Sequence, residues 1–328
     1  MIPENKKEAV AKALQAAFGV SDFEDIHQLH DGLSTALIFR IVVTGKPYLL
    51  RVITRTDAVA DPSRWYNCMQ AAADADIAPK VWYADSDDRV CITDFINAKP
   101  FPLDVAKFKL AATLSRLHAL PPFPFRLNYL DAIEGFVEKF KTAELIPAEL
   151  TADLLPIFTQ IKNIYPRNAE DLVACHNDLK PENMLFDGDH VWLVDWEAAF
   201  LNDRYMDLSI AANFVVRSDE DEKDYLQAYF GAEVNEYQFA RFFLARQLMH
   251  FSYFVVFMLM GQTPGKPVDP YRAKPTFREF NDRVWTGEIS LADMDNRVLY
   301  SLVHMEQLRI NLQSERFKQA LALVADKD

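Results

Sequence analysis

The chain has 328 residues, half of them hydrophobic and a quarter charged, as in a folded protein of roughly two domains or two lobes. Its formal net charge of -13 argues against nucleic-acid binding, which needs basic surface to neutralise phosphates. Residues 1–10 show no signal peptide, and the longest apolar run, 248–260, is too short to cross a membrane. The cysteines Cys68, Cys91 and Cys175 sit at no metal-ligand spacing and indicate reduced thiols in a cytoplasmic protein.

Residues 1–96 are predicted to form a β-rich region with one internal helix. Helical spacing, strand-type runs and turn residues support this interpretation. The predicted elements are a helix over 5–18 that ends at Gly19, strands over 36–43 and 48–53 joined by a turn at 44–47, a helix over 63–76, and strands over 81–84 and 90–95.

Residues 97–328 are predicted to be mainly helical. An amphipathic helix is expected over 104–119, and a buried apolar helix over 244–260. One β island is expected at 184–186 and 191–194. The sequence therefore predicts an α+β protein with a small antiparallel β lobe (1–96) and a larger helical lobe (97–328).

The segment from His176 to Glu197 carries the strongest chemical pattern. Asp178 and Asn183 lie five residues apart on one loop, and Asp195 follows a hydrophobic strand. Phosphoryl transfer from ATP needs a carboxylate near the attacking hydroxyl and oxygen ligands for magnesium, and these three residues can supply both. The alternative is a polar loop whose acidic residues only cap turns.

This segment resembles the catalytic loop and metal-binding segment of the aminoglycoside phosphotransferase and choline kinase superfamily, which shares its fold with protein kinases. The resemblance implies that Asp178 is the catalytic base and that Asn183 and Asp195 bind Mg²⁺. It also implies that His176 and Asp207 support the loop. The stretch between Asp195 and Asp207 leaves no room for a peptide-positioning activation loop, so we expect a small-molecule kinase.

The nucleotide site has a weaker signature. Gly32, Ser34 and Thr35 lie where a loop should cover the ATP phosphates, although a plain β-turn would look the same. Asp94 and Ile96 resemble the segment that links the lobes, where the backbone would bind adenine.

Arg51 lies on the strand where the resemblance implies a cation that grips phosphate. Its guanidinium suits bidentate phosphate binding, whereas the alternative is an arginine facing solvent. The family's helix Glu should pair with this cation, but that place falls near Trp65 and no Glu occurs in 62–79. Asn67, Gln70 and Asp74 are the candidates to take its place, and the missing Glu is the main support for a pseudokinase.

Glu197 and Tyr253 are the candidate substrate residues. Glu197 could lie near metal and substrate, or could pair with Arg204. Tyr253 could hold a cationic group by cation–π attraction, or could belong to ordinary core packing. Asp203 could likewise attract an amine.

We therefore predict a kinase that uses ATP and Mg²⁺ to phosphorylate the hydroxyl of a small cationic molecule such as choline or ethanolamine. Aminoglycosides, thiamine, sugars and homoserine remain alternative substrates, and GTP an alternative donor. A nucleotide-binding pseudokinase is the alternative of another class. We expect a small-molecule substrate, no nucleic-acid or membrane partner, and leave a homodimer open.

Overall fold

A computed structural model describes residues 1–29, 36–124, 127–263 and 265–326 of the chain. An antiparallel sheet occupies the N-terminal part, with its strands in the spatial order β1-β2-β3-β5-β4. The strands are β1 (Asp25–Leu29), β2 (Leu37–Val43), β3 (Lys46–Val52), β4 (Val81–Asp85) and β5 (Val90–Asp94).

Helix α1 (Lys7–Phe18) covers one face of this sheet. Val10 and Leu14 are buried one helical turn apart, and they pack against Phe39 and Ile41, which alternate along β2. The helix ends at Gly19, whose positive φ of 72° is the left-handed conformation that glycine adopts readily. The predicted helix, its end and the strand β2 are thus confirmed, whereas the sequence analysis did not predict β1.

The tight turn between β2 and β3 sets the register of the hairpin. Thr44 and Gly45 both have positive φ, 49° and 73°, as a two-residue turn between antiparallel strands requires. The register places Arg51 opposite Ile38 on β2 and Cys91 on β5, with only 8% of Arg51 exposed. Arg51 is therefore an interior residue of the sheet and not the solvent-facing arginine of the alternative interpretation.

Helices dominate the chain after residue 100, which confirms the predicted α+β class. Helix α2 (Tyr66–Asp74) comes before this part and lies beside the sheet. The later helices are α3 (Leu103–His118), α4 (Tyr129–Ala143), α5 (Leu154–Ile164), α6 (Arg204–Val215), α7 (Asp219–Phe230), α8 (Glu236–Gly261), α9 (Phe277–Trp285), α10 (Met294–Leu312) and α11 (Glu315–Ala325).

Helix α8 is the central helix of this part and packs against α4, α5, α6, α10 and α11. Among the described helices it alone is long and apolar enough to cross a membrane, but 72% of its most apolar window is buried inside the protein. This burial is typical of a core helix, as the sequence predicted.

Two small sheets hold the loops of the candidate site. The predicted β island is confirmed as β7 (Met184–Phe186) paired with β8 (Val191–Leu193). The sequence analysis did not predict the second pair, β6 (Leu172–Cys175) with β9 (Phe200–Asp203). Each of its strands has only four residues, too few to show a clear alternation.

Candidate active site

The loop after β6 is held by one buried carboxylate. Asp207, on α6, accepts the backbone N–H of His176 at 2.8 Å and that of Asn177 at 2.7 Å. Asp207 is fully buried, and His118 Nε2 lies 3.2 Å from the same carboxylate. These bonds fix the backbone just before Asp178. The structure thus places Asp207 where a loop-supporting role requires it.

Asn177 is a loop organiser that the sequence analysis did not single out. Its φ of 63° is left-handed, which asparagine tolerates better than most residues. Its side chain donates to the carbonyls of Cys175, Ala198 and Phe200 and accepts from Asn202 at 2.7 Å. It therefore ties the β6 loop to the segment after Asp195. The only sequence signal was its position inside the motif.

His176 fixes the orientation of the same loop. Its Nδ1 accepts the backbone N–H of Asp178 at 3.3 Å, so Nε2 carries the proton and donates to the carbonyl of Val194 at 2.9 Å. The ring packs edge-on against Trp196 and the residue is fully buried. His176 thus connects the Asp178 loop with the strand that leads to Asp195.

The carboxylate of Asp178 lies between two nitrogen donors. Asn183 Nδ2 donates to Oδ2 at 2.9 Å and to the backbone carbonyl of Asp178 at 2.8 Å. Lys180 Nζ donates to the same Oδ2 at 3.0 Å. Because these bonds use the amide nitrogen of Asn183, its amide oxygen is the atom that can bind a metal. Lys180, two residues after Asp178, was missed by the sequence analysis.

Asp195 and Glu197 converge on Arg51. Arg51 donates to Asp195 Oδ1 at 3.1 Å and to Glu197 Oε1, across 144 and 146 residues of sequence. Burial acts to raise the pKa of Asp195, but the charges of Arg51 and Lys180 outweigh it and lower the pKa below its usual range. Asp195 is therefore an ionised carboxylate, as a magnesium ligand must be.

Trp65 occupies the place where the family's helix Glu was expected. The Arg51 guanidinium lies over its ring, 5.2 Å from the centroid, and Trp65 is only 2% exposed. A cation–π contact therefore replaces the expected ion pair from the helix, while Asp195 and Glu197 supply the charge. In the structure Gln70 instead bonds to Asp74 on the same helix.

A cleft of about 250 Å³ opens beside these groups. Its lining combines charged and apolar residues, and it includes Asp94 and Ile96. The lining includes Leu29, Ile38, Leu49, Arg51, Trp65, Met69, Pro79, Cys91, Thr93, Lys180, Glu182, Asn183, Leu185, Val194 and Asp195. The predicted phosphate residues Gly32, Ser34 and Thr35 lie outside the described residues.

Tyr253 lies on α8 within a cluster of aromatic rings. The rings of Phe257 and His304 are 5.2 and 5.0 Å from its own, and Tyr300 is 6.0 Å away. Burial raises the pKa of Tyr253 well above its usual value, and the nearby charge of Asp178 contributes. Tyr253 is only partly buried, so these rings do not enclose it completely.

The structure contradicts two alternatives from the sequence analysis: the pairing of Glu197 with Arg204, and the attraction of an amine by Asp203. Glu197 pairs with Arg51, whereas Arg204 lies against Asp171 at 3.8 Å. Asp203 is 9% exposed and bonds to Arg241 at 2.7 Å, so its charge is already compensated and unsuited to attracting an amine.

His118, Cys175 and Asp207 come within 4.8 Å of one another, which is a spacing that metal ligands can show. Their donor atoms are already used: Asp207 holds the loop amides, and His118 Nδ1 lies 2.7 Å from the hydroxyl of Tyr229. Burial also raises the pKa of Cys175 well above its usual value and so disfavours the thiolate. We interpret this group as structural.

Replacing Asp207 with Asn should destabilise the protein by about 2–4 kcal/mol, because an amide would turn an N–H group towards the buried backbone amides that the carboxylate now accepts. Urea unfolding followed by circular dichroism measures the change. Asp295→Asn is the control, since its pair with Lys266 is exposed to solvent and should contribute little to stability. Equal effects of the two variants would contradict this role of Asp207.

Comparison with known proteins identifies the family. The model described as "Phosphotransferase enzyme family" matches residues 25–243, which is more than half of the chain. Protein LicA of Haemophilus influenzae is 33% identical over 140 residues, covering 41% of this chain and 50% of LicA. The chain therefore spans about half the length of this curated relative.

Two solved structures show the fold. A choline/ethanolamine kinase family protein from Mesorhizobium loti has a TM-score of 0.69 at 19% identity, with 98% of this chain and 99% of that chain covered. The gentamicin–APH(2")-IIa complex has a TM-score of 0.57 at 14% identity, with 97% and 98% covered. The predicted two-lobed kinase-like fold is thus confirmed, and the chain belongs to the phosphotransferase enzyme family.

Proposed function

We propose that the protein transfers the γ-phosphoryl group of ATP to the hydroxyl of a small cationic alcohol of the choline or ethanolamine type. The convergence of Asp178, Lys180, Asn183, Asp195 and Arg51 beside one cleft carries this proposal. Such an arrangement matches the needs of phosphoryl transfer, where catalysis is mainly positioning and charge neutralisation.

The cleft suits a nucleotide. Apolar side chains such as Leu29, Ile38 and Leu185 would sandwich the adenine, and the backbone at Asp94 and Ile96 would bind its polar edge. The side chain of Asp94 does not serve this purpose, because it accepts a bond from Trp82 Nε1 at 2.7 Å.

Asn183 and Asp195 fit a magnesium ion. The amide oxygen of one and the ionised carboxylate of the other are hard oxygen donors, which Mg²⁺ prefers. When bound, the ion would neutralise charge on the phosphates. Arg51 would hold phosphate oxygens with its planar fork, and its contacts with Asp195 and Glu197 position it at the cleft.

Asp178 would orient the substrate hydroxyl and accept its proton. Asn183 and Lys180 hold one of its oxygens, which leaves the other for the hydroxyl. Lys180 also carries a positive charge next to the point of transfer. Burial acts to lower the pKa of Lys180, but Asp178 and Asp195 outweigh it and raise the pKa, so the lysine stays charged.

The aromatic cluster at Tyr253 favours a cationic substrate. Tyr253 and Phe257 are both only partly buried, and an ammonium held against their rings would also be attracted by the charge of Asp178, which acts on Tyr253. The fold is shared with both a choline/ethanolamine kinase family protein and an aminoglycoside phosphotransferase, so the preference for an amino alcohol rests on this aromatic cluster. Aminoglycosides remain the second candidate.

ADP release with Mg·ATP across choline, ethanolamine, aminoglycosides, thiamine, homoserine and simple sugars tests the proposal. Turnover with an amino alcohol that disappears in Asp178→Asn would support it. Turnover only with an aminoglycoside would move the assignment to the second candidate. Nucleotide binding without turnover on any substrate would favour the pseudokinase, in which Trp65 in place of the helix Glu would be central.

Replacing Tyr253 with Leu should raise KM for choline about tenfold with little change in kcat, because a cation–π contact contributes roughly 1–2 kcal/mol. Tyr253→Phe keeps the ring and should stay within about threefold of the wild type. The uncharged isostere 3,3-dimethylbutan-1-ol should show no such difference between the variants. Equal losses for charged and uncharged alcohols would show that Tyr253 acts only through packing.

A further inference from the structure

A second cavity, of about 330 Å³, lies among the C-terminal helices. It is formed by the segment between α6 and α7, by one face each of α8 and α10, and by the beginnings of α9 and α11. The residues that line it are all different from those that line the nucleotide cleft. Four arginines face it: Arg217, Arg246, Arg278 and Arg316.

Three of these arginines have good partners. Arg217 makes two bonds to Asp282, at 2.9 and 2.8 Å. Arg316 donates to Glu222. Arg278 donates to backbone carbonyls at the end of α6, and burial lowers its pKa to about 10.

Arg246 differs from the other three. Its nearest carboxylate, Glu222, is 3.9 Å away and already bonded to Arg316. Within the described residues, its Nε is buried without a hydrogen-bond partner. Burial lowers the pKa of Arg246, Glu222 opposes this effect and the charge of Arg316 adds to it. A buried guanidinium with so little compensation is costly unless another anion approaches it.

The four arginines differ in exposure. The side chains of Arg217 and Arg316 are 40% and 38% exposed and that of Arg278 is 24% exposed, whereas that of Arg246 is 16% exposed. Arg246 is therefore the most deeply buried of the four, and an anion that reached its guanidinium would neutralise the least compensated charge.

We propose that this cavity binds an oxyanion of the phosphate class, either inorganic phosphate or a small phosphate monoester, with Arg246 as its innermost ligand. The planar guanidinium fork matches a tetrahedral oxyanion bidentately. Among the residues that line the cavity, four are arginines and two, Asp219 and Glu222, are carboxylates, so a ligand would meet an excess of guanidinium groups in the lining. A phosphate carries about two negative charges at neutral pH and uses this excess better than a monovalent anion.

The test is titration of the whole protein with inorganic phosphate by calorimetry, with parallel thermal unfolding in phosphate and in potassium chloride of equal ionic strength. Phosphate should raise Tm by about 2–4 °C more than chloride does. Acetate should give less than half of this rise. Arg246→Gln should weaken phosphate binding by about tenfold or more and remove the rise in Tm.

Variants separate this site from the nucleotide cleft, which can also attract phosphate. Arg51→Gln should remove only the phosphate binding that occurs in the nucleotide cleft. The rise in Tm that depends on Arg246 should remain. Arg283→Gln, a surface arginine paired with Glu288, should change nothing. Arg316→Gln should also weaken binding, because it leaves Glu222 free to pair with Arg246.

The proposal is overturned if phosphate stabilises no better than chloride, or if Arg246→Gln binds phosphate like the wild type. If acetate raises Tm as much as phosphate does, the site does not select oxyanions of the phosphate class. Loss of all binding in Arg51→Gln alone would place the only anion site in the cleft. That result would support the proposed function while removing the second site, so the two proposals fail separately.

Discussion

Replacing Asp178 with Asn should lower kcat by about 10³-fold while changing nucleotide affinity less than about threefold. The amide cannot accept the proton of the attacking hydroxyl, and general-base catalysis of this kind typically contributes 10²–10⁴-fold. The fold should survive, since Asn183 can still donate to the amide oxygen at this position. Steady-state ADP release and binding of a fluorescent ATP analogue measure the two effects.

Lys180→Met is the matched comparison for Asp178→Asn. It removes the ammonium that bonds to the same carboxylate but leaves the base in place, so we expect a smaller loss of kcat and weaker ATP binding. If Asp178→Asn retains turnover within a few-fold of the wild type, Asp178 is not the base. A large loss of nucleotide affinity in that variant would instead indicate that Asp178 acts on the nucleotide.

Asp195→Asn should weaken Mg·ATP binding by about 10–100-fold and raise the magnesium concentration needed for half-maximal activity. The change removes the negative charge of the proposed magnesium ligand. It also removes the carboxylate that bonds to Arg51 and whose charge interacts with Lys180. Magnesium titrations at saturating substrate, with equilibrium binding of Mg·nucleotide, measure the change.

Two variants control for the effect at Asp195. Asp187→Asn alters the other end of the same hairpin, where Asp187 bonds to Trp192 and has its pKa lowered to about 2, and it should leave magnesium dependence unchanged. Glu197→Gln removes the second partner of Arg51 and should mainly affect substrate or nucleotide affinity. An unchanged magnesium requirement in Asp195→Asn would refute the metal assignment. If the magnesium requirement changes only in Glu197→Gln, the metal ligand is Glu197 instead of Asp195.

Trp65 explains how Arg51 is held without the expected helix Glu. In the structure the indole covers the guanidinium from the helix side, and Asp195 and Glu197 supply the charges from the other part of the chain. A cation–π contact contributes about 0.5–2 kcal/mol, so it can position the arginine without competing for its charge. The missing Glu therefore does not by itself argue for a pseudokinase.

The sequence by itself determined the features that depend on neighbouring residues. Gly19 marked the end of α1, and Thr44 and Gly45 marked the β2–β3 turn, because their backbone conformations are local requirements. The spacing of Asp178 and Asn183 on one loop likewise indicated the site, since five residues are too few to separate them. The α+β class followed from hydrophobic periodicity, which is also local.

Only the tertiary structure decided which groups meet across long separations. The partners of Arg51 lie more than 140 residues away, and the choice of Arg51 over Arg204 as the partner of Glu197 depends on how the sheet packs on the loop. The pairing of β6 with β9 and the group of arginines around Arg246 likewise bring together residues that are distant in the sequence. Periodicity encodes which face of an element is buried, but it does not encode which other element covers that face.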